Sequence, residues 1–169
     1  MTTKADYNGE EWQLLLDVPP LVGTAVMVAG ASGLGSIKEA YAVATGTLAM
    51  ANQYPGNRLI KALLDGRLHD GDKAEVEKLT NSYRAMSRQE LHELAIQKCR
   101  DANQLLSGRS TVEESQQYKE WTMAVGYHVA EAAKEGGFLG IGGERVSQAE
   151  RIVLNDVAEA LGIAAERGQ

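Results

Sequence analysis

Residues 111–121 read Thr111-Val112-Glu113-Glu114-Ser115-Gln116-Gln117-Tyr118-Lys119-Glu120-Trp121, and this stretch decides the fold class. A threonine followed three residues later by a glutamate is a capping box, in which side chain and backbone satisfy two otherwise orphaned amides at a helix start. Beyond it, Tyr118, Trp121, Val125, His128 and Ala132 recur at helical spacing and predict one apolar stripe. The same grammar appears twice more. Ser87-Arg88-Gln89-Glu90 opens a stripe of Leu91, Leu94, Ala95, Ala102, Leu105 and Leu106 that Gly108 closes. Ser147-Gln148-Ala149-Glu150 opens a last helix with Ile152, Val153, Val157, Ala160 and Leu161 inward and Gly162 at its end. No proline follows Pro55, so nothing interrupts these helices.

Working upstream, Pro19-Pro20 is read as the start of a helix apolar on both faces through Val28, because proline at the first helical position loses no needed N–H. That reading leaves residues 1–17 as an N-terminal segment. Gly30, Gly33 and Gly35 end the helix, and Ser36 caps a second one carrying Ile37, Tyr41, Ala44, Leu48 and Ala51. Tyr54-Pro55-Gly56-Asn57 is a turn. Leu59 to Leu64 is read as a short apolar segment leading into Asp65-Gly66 and Asp70-Gly71-Asp72, an exposed excursion after which a helix resumes near Lys73. The expectation is one all-α domain over residues 1–169, a bundle of about six to eight helices.

Composition agrees. A chain of 169 residues and 18.2 kDa supports one core. It holds 23 Ala and 18 Leu against 18 Val plus Ile and a single Phe, which excludes an all-β fold. With 17 basic and 23 acidic residues the net charge is -6, the wrong sign for living on nucleic-acid phosphates. One cysteine, Cys99, permits neither an intramolecular disulfide nor a thiolate zinc cluster, and points to the cytoplasm. Val18 to Ile37 is uncharged, but its two prolines and four glycines argue against an integral membrane segment.

Two motifs invite chemistry. Thr24 to Gly35 places Ala-Val-Met-Val-Ala before Gly30-Ala31-Ser32-Gly33-Leu34-Gly35, the look of a strand turning into a phosphate-binding helix. Such a fold needs further Val/Ile-rich strands, and the rest of the chain has helical periodicity. A nucleotide- or small-ligand-binding protein or enzyme using Gly30 to Gly35 is therefore the alternative reading. His128, with Glu131 one turn on, is expected to be a core histidine rather than a metal ligand. His92 is read on a solvated face and His69 among turn residues. No catalytic constellation is identified. The segment Gly136 to Val146 holds five of the 18 glycines and the only phenylalanine. Its Phe138, Leu139 and Ile141 are expected either to plug the bundle, the favoured reading, or to contact a protein partner or a second copy.

An internal echo links the two glycine-rich places. Val28-Ala29, glycines, then Ile37-Lys38-Glu39 parallels Val129-Ala130, glycines, then Val146-Ser147-Gln148-Ala149-Glu150. If the two turns face each other, Glu39, Glu135, Glu144 and Glu150 come near two helix starts and suit weak calcium or magnesium binding, with no other cofactor expected. Here the chain resembles the tellurite-resistance TerB-like helical domain family. Arg145-Val146-Ser147-Gln148-Ala149-Glu150, Ile152, Leu154, Val157-Ala158 and Leu161-Gly162-Ile163 are similar to its late turn and last helix; Ala31-Ser32-Gly33 and Ile37-Lys38-Glu39 are similar to its early turn. Ser32 stands where that family carries an acidic residue proposed as a metal ligand. The resemblance implies a helical, non-enzymatic binding or interaction module associated with stress or tellurite responses.

Overall fold

The computed structural model describes residues 2–30, 37–69, 82–83, 85–135 and 146–163, of which 37–42, 66–69 and 133–135 are described as backbone. A 3-10 turn, Lys4–Asp6, precedes helices α1 (Gly9–Gly30), α2 (Ile37–Ala51), α3 (Arg58–His69), α4 (Arg88–Arg109), α5 (Val112–Glu135) and α6 (Gln148–Ala160). There is no strand among the described residues. The all-α bundle read from the sequence is the fold; the helix expected near Lys73 lies outside the described residues.

The largest correction concerns α1. It begins at Gly9, not at the prolines, and carries Pro19 and Pro20 in its interior. The start is set by Asn8: its Oδ1 accepts the Glu11 amide at 2.9 Å while its own amide donates to Glu11 Oε2 at 2.8 Å, a capping box built on asparagine. The prolines are tolerated because one orphan they create is healed. Proline at 19 has no N–H for the carbonyl four residues back, which is Leu15. Tyr118 of α5 donates its hydroxyl to the Leu15 carbonyl at 2.8 Å, inside the core. Both residues are fully buried.

Helix α1 packs against every other helix, with α5 as its principal partner. The two run parallel, since contacts advance together along both: Tyr7 hydroxyl with Ser110 Oγ at 2.8 Å, Leu15 with Tyr118, and Gly23 with Val125 and Val129. Glycine allows this approach: a Cβ at Gly23 would stand 3.3 Å from both valines, and one at Gly126 would stand 2.8 Å from Leu154 and 3.2 Å from Val22. By length and composition α1 passes as a membrane span, yet 56% of its apolar window is buried inside the bundle.

The starts of α1 and α5 are tied by polar groups. Arg109 donates to the Asp6 carbonyl at 2.6 Å and to Glu11 Oε1 at 3.2 Å, and Thr2 donates to Glu114 Oε2 at 2.5 Å. The capping boxes at Ser87, Thr111 and Ser147 form as expected. Gly108 does not end α4, which runs to Arg109. Gly162, at φ 68°, ends α6: its amide bonds the Glu159 carbonyl, and the Ile163 amide reaches back to Ala158. Ile152, placed inward by sequence, is half exposed, because Val153, Leu154 and Val157 set the buried face and Ile152 falls opposite.

Cys99 is fully buried on α4, and burial pushes its thiol up to about 12. Since the thiolate is the nucleophile, alkylation of Cys99 at pH 8 should be undetectable in folded protein and proceed at the rate of a free thiol in denaturant. Labelling under native conditions, followed by mass spectrometry, checks this; rapid native labelling contradicts the burial.

Candidate functional site at the shared end of α1 and α5

Because α1 and α5 are parallel, their C-terminal ends, Gly30 and Glu135, lie at one end of the bundle, where α2 and α6 begin. The joining segments 31–36 and 136–145 leave from that end and lie outside the described residues, and with them Glu144, Phe138, Leu139 and Ile141. The plug and partner readings of Phe138 therefore both stand as sequence expectations. Glu39 sits in the first turn of α2, and Glu135 is the last residue of α5.

Glu150 is the member of the expected acidic set whose side chain is described, and it is unusual: a carboxyl group only 3% exposed. Two things place it there. Its Oε2 accepts the Ser147 amide at 2.7 Å, completing the capping box of α6. The rest of its carboxyl group lies on Gly30, where an added Cβ would stand 2.2 Å from Oε1 and 2.6 Å from Cδ. Gly30 thus has two functions: it closes α1, and it leaves the space in which a glutamate from the last helix is seated. The expectation that Gly30 merely breaks a helix missed this, because a glycine's empty side becomes meaningful only once the opposing element is known.

Glu150 joins the two helix ends; it does not by itself form a metal site. No group of three or more His, Cys, Asp or Glu side chains converges among the described residues, and Oε2 is already engaged by a backbone amide. The side chains of Glu39, Glu135 and Glu144, which with Glu150 make up the expected calcium or magnesium set, lie outside the described residues.

Two histidines, His128 and His92, lie against neighbouring helices. His128, half-buried on α5, lies against α2, where a Cβ at Gly46 would stand 2.6 Å from its Cδ2. His92 is not on a solvated face: its Nε2 is 3.0 Å from Asp156 Oδ2 of α6, an ion-pair distance without hydrogen-bond alignment. His69 closes α3 rather than sitting in a turn. The phosphate-cradling reading of Gly30 to Gly35 requires a strand before the glycines, and Thr24 to Gly30 is helix.

Gly30→Ala should destabilise the protein by roughly 1–3 kcal/mol, as overpacking does, because the new methyl displaces Glu150 from its seat. In a Glu150→Ala background the same change should cost less than about 0.5 kcal/mol, the two sites being coupled only through that contact. Denaturant melts of the four proteins decide it; equal costs in both backgrounds would show that the seat is not the constraint. No family model matches the chain, and no characterised protein or solved structure shows significant similarity to it.

Proposed function

We propose that this chain is a non-enzymatic interaction module of the TerB-like type, acting in the cytoplasm beside stress- or tellurite-related functions, and that it binds a protein partner or a second copy of itself at the end where α1 and α5 terminate. The observation that carries this reading is the seating of Glu150 on Gly30. It draws the start of the last helix onto the end of the first, so both glycine-rich joints emerge from one place. One of those joints contains Phe138, Leu139 and Ile141, and apolar residues concentrated on a single joint suit a contact surface. The TerB-like resemblance of residues 145–163 supports the choice of class, and the opposite end of the bundle is taken up by the Thr2, Tyr7, Arg109 and Glu114 ties.

Light scattering over rising concentration tests the self-association form. The expected result is a mass above the 18.2 kDa of the single chain, with Phe138→Ala weakening association by a hot-spot amount of about 2 kcal/mol and leaving the melting temperature of the monomer, measured at low concentration, unchanged. A chain that stays monomeric at high concentration, and whose Phe138→Ala variant melts well below wild type, assigns the segment to the chain's own core and removes this reading.

A further inference from the structure

The contacts between α1 and α5 repeat at one fixed spacing. Leu15 and Tyr118, joined by the hydrogen bond across the core, are 103 residues apart. The same spacing relates the two N-terminal caps: Asn8 with Glu11 before α1, and Thr111 with Glu114 before α5, each a reciprocal pair of hydrogen bonds. It relates two side-chain pairs one turn further on, Gln13 donating to Asp17 at 2.9 Å and Gln116 donating to Glu120 at 3.0 Å. It relates Val22-Gly23-x-x-Val26 to Val125-Gly126-x-x-Val129.

These last two motifs meet each other, and they do so reciprocally. Gly23 of α1 lies against Val125 and Val129 of α5, while Gly126 of α5 lies against Val22 and Val26 of α1. Each glycine also receives a residue from a helix further along its own half: Val43 of α2 on Gly23, and Leu154 of α6 on Gly126. In sequence, Ser36-x-x-Glu39 opens α2 as Ser147-x-x-Glu150 opens α6, at the offset that also relates Val43 to Leu154. A contact in which patch a meets patch b while b′ meets a′ is what a two-fold axis produces between identical subunits. Capping boxes alone are common at helix starts and would not require it. The reciprocal glycine contacts in the same register are the observation that favours it. The echo visible in the sequence, Val28 against Val129, is two residues out of this register, because the glycine contacts make Val26 the counterpart of Val129.

We propose that α1–α2 and α5–α6 are two copies of one helical hairpin, and that the Val-Gly-x-x-Val surface of each copy is a recognition surface whose partner is the other copy. The chain is a homodimer fused into one polypeptide, with α3 and α4 carried between the copies. The copies have diverged at most positions, and among these Gly30, which seats Glu150, corresponds to Ala133 in the second copy, as Leu15 corresponds to Tyr118 and Pro19 to Thr122.

The test uses the full chain with a specific protease site introduced within residues 70–81, between the copies, cleaved after folding. The two pieces should remain together at the mass of the intact chain. After denaturation and dilution they should re-form the complex, with a melting temperature that now rises with concentration, as for a dimer. Gly23→Ala and Gly126→Ala should each weaken re-association by about fivefold or more, to a similar extent. Val22→Ala and Val125→Ala, which remove bulk instead of adding it, should form a second matched pair. Pieces that separate or fail to re-form overturn the proposal. So does either pair of variants in which one member abolishes association and its counterpart has no effect.

Discussion

A hydroxyl from one helix, given to a carbonyl that a proline has orphaned in another, is the constraint on which the bundle rests. Proline at position 19 denies Leu15 its intrahelical partner. An unsatisfied carbonyl in a dry core costs about 1–3 kcal/mol, a large share of the stability of a small domain. Tyr118 removes that cost at 2.8 Å, and in doing so fixes the register and depth of α5 against α1. Trp121, one turn further, packs edge-on against Tyr118 with ring centroids 5.7 Å apart and donates its indole N–H to the Thr47 carbonyl of α2. One tyrosine and one tryptophan therefore anchor α5 to both helices of the first half.

With that register set, the glycines determine how close the helices come. Gly23 and Gly126 let α1 and α5 approach until valines fill the space of their missing side chains. The approach also aligns the helix ends, so that Gly30 is in place to receive Glu150. The polar ties at one end and the seated carboxylate at the other follow from the same parallel pair. The functional reading proposed above depends on that alignment, since it brings the end of α1 and the start of α6, far apart in sequence, together.

The helical class, the boundaries of α2, and the caps at Ser87, Thr111 and Ser147 were legible because each is written locally, in a cap and an apolar period. The start of α1 was legible too, in Asn8 and Glu11, but the more familiar preference of proline for a first turn outweighed it. What makes interior prolines tolerable is a tyrosine 103 residues away, and no local pattern announces that. Ile152 was misplaced for the related reason that a stripe can be drawn through several neighbouring positions until the opposing helix selects one. In the candidate site, Glu150 was identified as important from its place in a cap; its burial was not, because it depends on an absent side chain at Gly30. The two-fold relation was partly visible as the echo around Val28 and Val129, and only the contacts give its true register.

The most direct measurement is a double-mutant cycle between Pro19 and Tyr118, read as unfolding free energies from denaturant melts. With proline at 19, Tyr118→Phe should cost roughly 1–3 kcal/mol, since the Leu15 carbonyl is left without a donor. With Pro19→Ala in the same chain, the restored amide at 19 takes up that carbonyl, and Tyr118→Phe should then cost less than about 0.5 kcal/mol. Equal losses in the two backgrounds would contradict the account, because Tyr118 would then be held by its packing and not by the carbonyl that Pro19 leaves open.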